Sequence, residues 1–378
     1  MADPSNILAV KLADIGDLLT ITPTLRALRL RYPAARITAL VTPHTAPLLQ
    51  GNDSVDGTIL FPKGIFDQRS ALLRPGALLR AGGLGRELRA RRFDAVVLLH
   101  HLITGWGTVK YRALLGAVAA PVRVGLANRP IDFLTQQAQD RGFGARHEVD
   151  YWLEVAGRLD AYNPAPRIEL HLTRHELEAA DRRWSMLGLD DHEVVAIHPG
   201  SGAFSLARRW PAERFAETAD TLAEDGLRAA IVAGPGEGPL ANAVRGQMRA
   251  PSVLLDEQQT PRELAATLRR ARLFVGNDSG VMHCAATMGV PTVGVFGPSN
   301  HGAWGPYPPA QHRVVSLNLP CSPCIHHAFS LGTPQGCPPR MCLNELEPAL
   351  VISAARELLA ATTDSSRAPA TAEVGRVG

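Results

Sequence analysis

The chain opens on "NILAVKLADIGDLLTITPTLRALRLRYP", residues 6–33. Residues 6–12 form an apolar run broken only by Lys11, as in a strand covered on both faces of a parallel sheet. A helix is expected to follow as far as Tyr32, with Thr22-Pro23 acting as a cap and first-turn pair or as a restart. Between strand and helix, "ADIGD" puts Asp14 and Asp17 around one glycine, where many nucleotide-binding folds put several glycines for a phosphate. One glycine is too few for that task, and two carboxylates repel a phosphate. They suit removal of a proton from a hydroxyl. If the two lie close, mutual repulsion raises the proton affinity of one of them. The plainer reading is that Asp17 caps the following helix.

Working outward, the alternation of strand and helix continues. Strands are expected at 35–43, 56–62, 93–101 and 122–126, and an amphipathic helix at 145–163. Residues 164–173 read as an extended linker. The scheme then repeats, with a strand ending in glycine at 193–200, a strand and Gly-rich turn at 228–237, a strand running into a loop at 272–280, a strand at 291–298, and helices at 211–226, 260–271 and 281–289. Thr260 and Pro261 are an N-cap and first-turn pair. The pattern predicts an α/β chain of two Rossmann-like domains facing a cleft, at 1–170 and 171–361, followed by a disordered tail at 362–378.

Composition agrees with a globular protein of 378 residues, 46% hydrophobic and 20% charged. Thirty-nine basic residues stand against 36 acidic ones, a net charge of +3 that gives no field for nucleic acid. No run of about 18 apolar residues suggests a membrane span. The N-terminus lacks the basic flank and apolar core of a signal peptide, so a cytoplasmic protein is expected. Arginines among leucines at 63–92 suit either a membrane-facing surface or an ordinary solvated helix.

In open α/β sheets, ligands bind beyond the carboxyl ends of the strands. That rule selects "ADIGD", "HPGSGAFSLARRW", "GPGEG" and "GNDSGVMH". In the last, Asn277, Asp278, Ser279 and Gly280 stand at the start of a helix. A helix N-terminus carries about half a positive charge and free N–H groups, which suits a phosphate. Asp278 would repel that phosphate and fits better as an acceptor for sugar hydroxyls, or as a simple N-cap. Gly200, Ser201 and Gly202 form a flexible, hydroxyl-bearing turn before Arg208 and Arg209, and a guanidinium can clamp a diphosphate. Glu237 comes after a strand, where an acid can bond ribose hydroxyls. Neither GxGxxG nor GxxxxGK[ST] occurs, so ordinary dinucleotide and P-loop readings lose support.

Cys321, Cys324, Cys337 and Cys342 are spaced C-x2-C-x12-C-x4-C. Four thiolates led by CxxC suggest a structural zinc or iron site, with His326 and His327 as substitutes; free thiols are the alternative that the spacing leaves open. Cys284 reads as a small core residue.

Taken in order, these segments resemble glycosyltransferase family 9, the lipopolysaccharide heptosyltransferases. The resemblance rests on "VKLADIGDLLTITPTLRALRLRYPAARITALV", "HPGSGAFSLARRWP", "VAGPGE" and "VGNDSGVMHCAATMGVPTVGVFGP" and spans roughly residues 6–360. It implies the GT-B fold, with an N-terminal acceptor domain and a C-terminal nucleotide-sugar domain. It implies inverting transfer of heptose from ADP-heptose to a lipopolysaccharide core or related glycan, lipid-linked acceptors included, with no metal needed for catalysis and with contact at the inner face of the membrane. By the same resemblance, Asp17 matches the catalytic base, Asp278 the donor-sugar contact, and Ser279, Gly280 and Val281 the amides on the diphosphate. Glu237 matches the ribose acid, and Gly200 and Ser201 fall at diphosphate-contacting positions. Arg208 stands where the family usually has a lysine, and Asp14 where a small, polar or basic residue is usual. A late cysteine cluster holding iron or zinc also occurs in some members. Other readings are a family 9 enzyme with another donor or acceptor, and a non-catalytic nucleotide-sugar binder.

Overall fold

Two parallel sheets carry the chain. The structure, a computed structural model, describes residues 3–63, 75–256 and 258–365. It divides into two units: the first runs to Glu169 apart from Phe143–Ala145, which belong with the second, from Leu170 on.

In the first unit the strands are β1 Asn6–Val10, β2 Arg36–Val41, β3 Gly57–Leu60, β4 Ala95–Leu98, β5 Val122–Ala127 and β6 Gln136–Gln139. All pairs are parallel and the order is β3-β2-β1-β4-β5-β6. In the second they are β7 Val194–His198, β8 Arg228–Val232, β9 Ser252–Leu255, β10 Leu273–Asn277, β11 Thr292–Val295 and β12 Arg313–Val315, ordered β12-β11-β10-β7-β8-β9. Each is a Rossmann-like sheet, and two such domains in one chain are the GT-B architecture. The strand order reverses between β1 and β4 and again between β7 and β10, so the loops leaving those four strands are where ligands belong.

Burial explains why the strands read as apolar runs. Ile7, Leu8, Ala9 and Val10 are all fully buried. Alternate residues of β7 serve opposite faces of the second sheet: Val195 and Ile197 pack in one core with Phe215 and Leu222, Val194 and Ala196 in another with Phe274 and Phe296. After β1 the chain forms a short helix, Ile15–Leu19, and then a second one, Thr22–Arg31, so Thr22-Pro23 marks a restart. Thr260 caps the helix Pro261–Leu268 in a reciprocal capping box with Glu263.

Within 228–237 and 272–280 the strands occupy Arg228–Val232 and Leu273–Asn277, and each runs, as expected, into a turn or loop at the ligand edge of the sheet. The helix expected at 145–163 is confined to Glu148–Gly157. Strands β6, β9 and β12 and the helices Gly105–Val118, Arg174–Met186, Gly238–Gln247 and Pro348–Ser365 were not expected from the sequence. The last helix takes in residues 362–365; the remainder of the expected tail lies outside the described residues, as do residues 64–74 of the arginine-leucine segment. Within that segment, the helix Pro75–Ala90 exposes Leu78 and Leu79. Among the described residues no helix is long and apolar enough to cross a membrane.

A buried ion cluster closes the first sheet at the ends of β4 and β6. His101, just past β4, places Nδ1 2.8 Å from Asp140 Oδ2 and Nε2 3.0 Å from Glu148 Oε1. Its ring is edge-on to Tyr151 and Trp152. Burial by itself lowers the imidazole pKa, but the charge of Glu148 and the hydrogen bonds to both carboxylates outweigh it and lift the pKa to about 9. An unfolded histidine titrates near 6.5, so this stabilisation is complete below about pH 6.5 and is lost as pH rises through about 9. Chemical denaturation should therefore show the wild-type protein losing about 3 kcal/mol across that window, with His101→Gln lacking the slope. An unchanged slope in His101→Gln would assign the loss to other groups.

Candidate functional site

His198 ends β7 and Asn277 ends β10, on either side of the second sheet's switch point. Between His198 and Trp210 the chain makes a long loop with one 3-10 turn, Leu206–Arg208. Asn277, fully buried, pins both ends of this loop: its Nδ2 donates to the carbonyls of Pro199 (2.7 Å) and Gly200 (3.3 Å), and its Oδ1 accepts from the Trp210 amide at 3.0 Å.

Glu237 organises the same loop from the other side. Its Oε1 accepts the amides of Ser201 and Gly202, both at 3.0 Å, and a bond from Arg209 at 3.1 Å. Its Oε2 lies 2.9 Å from His198 Nε2 and accepts the Gly234 amide at 3.1 Å. Burial alone would raise the pKa of this acid; the hydrogen bond and charge of His198 and the Gly202 and Ser201 amides bring it down to about 2. Packing here leaves no space for a side chain at position 200, where a Cβ would overlap the Glu237 carboxylate. Glycine at 200 is thus required by a close approach, not by backbone freedom.

Across the switch point, Ser279 caps the helix Gly280–Thr287. Its backbone is extended and its Oγ accepts from the Met282 amide at 3.3 Å. The same Oγ lies 3.2 Å from His198 Nδ1, so His198 links the helix cap to Glu237. Asp278 is therefore not the cap. Its Oδ2 accepts from Arg208 NH1 at 3.0 Å, and Arg208 NH2 donates to the Ser201 carbonyl at 2.7 Å. The guanidinium also sits 5.5 Å from the ring of Phe204, which is half exposed. Neither arginine is a solvated surface residue: Arg208 pairs with Asp278 and Arg209 with Glu237. Gly200, Ser201, Arg208, Glu237, Asp278 and Ser279 are thus brought into one network, with half-buried Gly280 and Val281 in the first turn of the helix behind it. His198 carried no expected role, although a polar residue ending an apolar strand just before "PG" is a readable signal.

In the first unit, Asp17 lies in the first turn of Ile15–Leu19, beyond β1 at that sheet's switch point. It caps neither neighbouring helix: Asp14 and Ile21 hold the N-cap positions. Asp14 is exposed and faces His44, with Oδ1 3.4 Å from Nε2. Asp17 faces Lys11, Oδ1 to Nζ 3.9 Å, with its side chain 32% exposed. The two carboxylates thus turn to different basic groups, and the mutual pairing considered from the sequence is replaced by these two contacts. His100, just past β4, accepts the Leu12 amide through Nε2 at 2.7 Å; burial first and then the charge of Lys11 hold its pKa well below the ordinary value, so the ring is neutral.

The family model for glycosyltransferase family 9 (heptosyltransferase) matches residues 82–333, more than half of the chain. The chain belongs to glycosyltransferase family 9. It is therefore a glycosyltransferase. Lipopolysaccharide heptosyltransferase 3 of Escherichia coli is 26% identical over 363 residues, covering 92% of this chain and 94% of that protein. Lipooligosaccharide heptosyltransferase 2 of Campylobacter jejuni is 29% identical over 170 residues, and that match spans only 51% of its length. Among solved structures, a family 9 glycosyltransferase of Veillonella parvula superimposes with a TM-score of 0.74 at 25% identity, covering 95% of this chain and 98% of that one. The ADP-heptose lipopolysaccharide heptosyltransferase II of E. coli does so with a TM-score of 0.70 at 20% identity, over 95% and 99%, and supports the fold.

The late cysteines of this family 9 chain share one neighbourhood. Burial raises the Cys342 thiol to about 11, with contributions from the charges of Cys324, Cys337 and Cys321. Cys342 is buried and the other three are exposed. Among the described residues no group of three or more His, Cys, Asp or Glu side chains that could hold a metal ion is found. Cys284 is buried on the helix Gly280–Thr287, and burial lifts its thiol to about 12.

The Glu237 network makes position 200 a sensitive one. Gly200→Ala must displace a buried, charged carboxylate and is expected to cost about 2–4 kcal/mol. Gly246→Ala, where a methyl group meets open space, serves as the control. Equal denaturation midpoints for the two variants would contradict the close-approach account.

Proposed function

We propose that this enzyme transfers heptose, with inversion, from ADP-heptose to a hydroxyl of a lipopolysaccharide core or related glycan, with Asp17 as general base. The observation that carries the reading is a division of chemistry between the two switch points. The second sheet offers amides, a hydroxyl and an arginine at a helix N-terminus; the first offers a partly exposed carboxylate with no phosphate cradle around it. The donor and acceptor classes are supported by the names of the heptosyltransferase relatives and of the ADP-heptose enzyme sharing the fold.

In the proposed reaction the donor diphosphate rests on the first-turn amides at Ser279, Gly280 and Val281, with Gly200 and Ser201 along its side. Arg208 neutralises the charge that grows on the diphosphate as the glycosidic bond breaks, where electrostatic stabilisation is most effective. Asp278, now held by Arg208, accepts hydroxyls of the donor sugar. Asp17 takes the proton of the acceptor hydroxyl as its oxygen attacks the anomeric carbon. Glu237 has both oxygens occupied, so a ribose contact has to share bonds that already hold the loop; we assign it first to positioning Ser201 and Gly202. No step is routed through a metal.

A structural zinc or iron at Cys321, Cys324, Cys337 and Cys342 is proposed separately, on their spacing and shared neighbourhood. Elemental analysis of purified protein should find one zinc or iron per chain, lost in Cys324→Ser, and metal-free wild-type protein would remove the proposal. For the reaction, ADP should raise the melting temperature where UDP and GDP do not. Asp17→Asn should keep that shift while turnover with ADP-heptose and a core acceptor falls by about 10²–10⁴. A variant retaining more than about a tenth of wild-type turnover would take Asp17 out of the base role.

A further inference from the structure

Only Lys11, Lys63 and Lys110 are lysines in this chain, and Lys11 is 2% exposed. A buried ammonium is expensive to desolvate, so its surroundings must either stabilise the charge or neutralise it. Lys11 comes directly after β1, and its Nζ lies 3.9 Å from Asp17 Oδ1 and 4.1 Å from the centre of the Trp152 ring. Trp152 is itself fixed: it is fully buried and its Nε1 donates to Thr20 Oγ1 at 3.2 Å. The ammonium is therefore seated on a rigid aromatic face with one side turned to the Asp17 carboxylate.

We propose that Lys11 is a positioning residue for the transfer reaction, holding the Asp17 carboxylate in place. The inference rests on the reading of Asp17 as the base. The role comes from geometry. Asp17 sits on a five-residue helix and is partly exposed, whereas Lys11 is buried against a fixed ring, so the lysine is the more rigid member of the pair.

The other charged and titratable groups around this pair come from every neighbouring element. Glu148, on the helix Glu148–Gly157, adds to the stabilisation of the Lys11 charge, and Lys63, beyond β3, opposes it. His100 and His101 stand at the end of β4, the first neutral and the second bound between Asp140 and Glu148. Desolvation is the largest influence on Lys11 and lowers its pKa, with Asp17 the largest opposing one. Removing Asp17 must therefore be felt at Lys11.

Two measurements test this. The first is the split between kcat and acceptor KM in Lys11→Met, which keeps an apolar chain over Trp152. Loss of the positioning contact should lower kcat by about tenfold or more while the acceptor KM and the ADP-induced melting shift stay near wild type, because a misplaced catalytic group costs rate more than binding. Lys11→Arg should recover most of the lost kcat. Unchanged kcat in Lys11→Met, or equal loss of kcat, acceptor binding and ADP stabilisation, overturns the proposal. The second does not depend on catalysis. Lysine labelled with ¹³C at Cε gives one signal for each of three lysines, and that of Lys11 should titrate at lower pH in Asp17→Asn than in wild type. Unchanged titration overturns the proposal by itself. High turnover in Asp17→Asn with a shifted lysine signal would instead sink the base reading and leave the pairing intact.

Discussion

A carboxylate removed from water needs hydrogen bonds at both oxygens, and Glu237 finds five: three backbone amides, an imidazole and a guanidinium. Its donors come from the ends of β7 and β8 and from the long loop between His198 and Trp210. Remove the carboxylate and the buried amides of Ser201 and Gly234 lose their acceptor, as does the part-buried amide of Gly202, while His198 loses the group that orients it toward Ser279. The geometry offered to an anion is thus set from behind, by a residue whose oxygens are already occupied. The same constraint accounts for glycine at 200, because the loop can approach the acid this closely only without a side chain.

The first unit solves a related problem with opposite chemistry. Its switch point carries charges that are compensated in series: Asp140 and Glu148 on His101, and Asp17 on Lys11. Buried charges are costly singly and tolerable in pairs with full hydrogen bonding. The arrangement leaves Asp17 as the partly exposed member of the series. Two Rossmann-like sheets therefore hold unlike ligand edges, one rich in donors and one presenting an acceptor. Fold alone does not decide which chemistry an edge performs; the residues that replace the phosphate glycines do.

Much of the fold was legible because both sheets are parallel. Central strands such as β1, β7 and β10 are covered on both faces, so they appear as continuous apolar runs. The strands that went unread show the limit of that signal. Strand β6 is "QQAQ", a polar edge strand, and β12 is three residues long, too short for a period to register. The helix Pro348–Ser365 did carry a signal, with Val351, Ile352, Ala355 and Leu358 buried at helical spacing. The loops of the candidate site were legible as well, since glycine, proline and small polar residues after an apolar strand mark the ligand edge.

By itself, the sequence determined two α/β halves, the loops that carry chemistry and the type of residue each loop presents, because these depend on short-range pattern. It did not determine partners. That Asp278 belongs to Arg208 and not to the helix cap, that Glu237 turns inward to the loop, and that Asp14 and Asp17 turn to different basic groups are pairings between residues up to 70 positions apart. Such pairings are decided only when the sheets close, because a buried charge takes whichever opposite charge or amide the packing brings within hydrogen-bond reach.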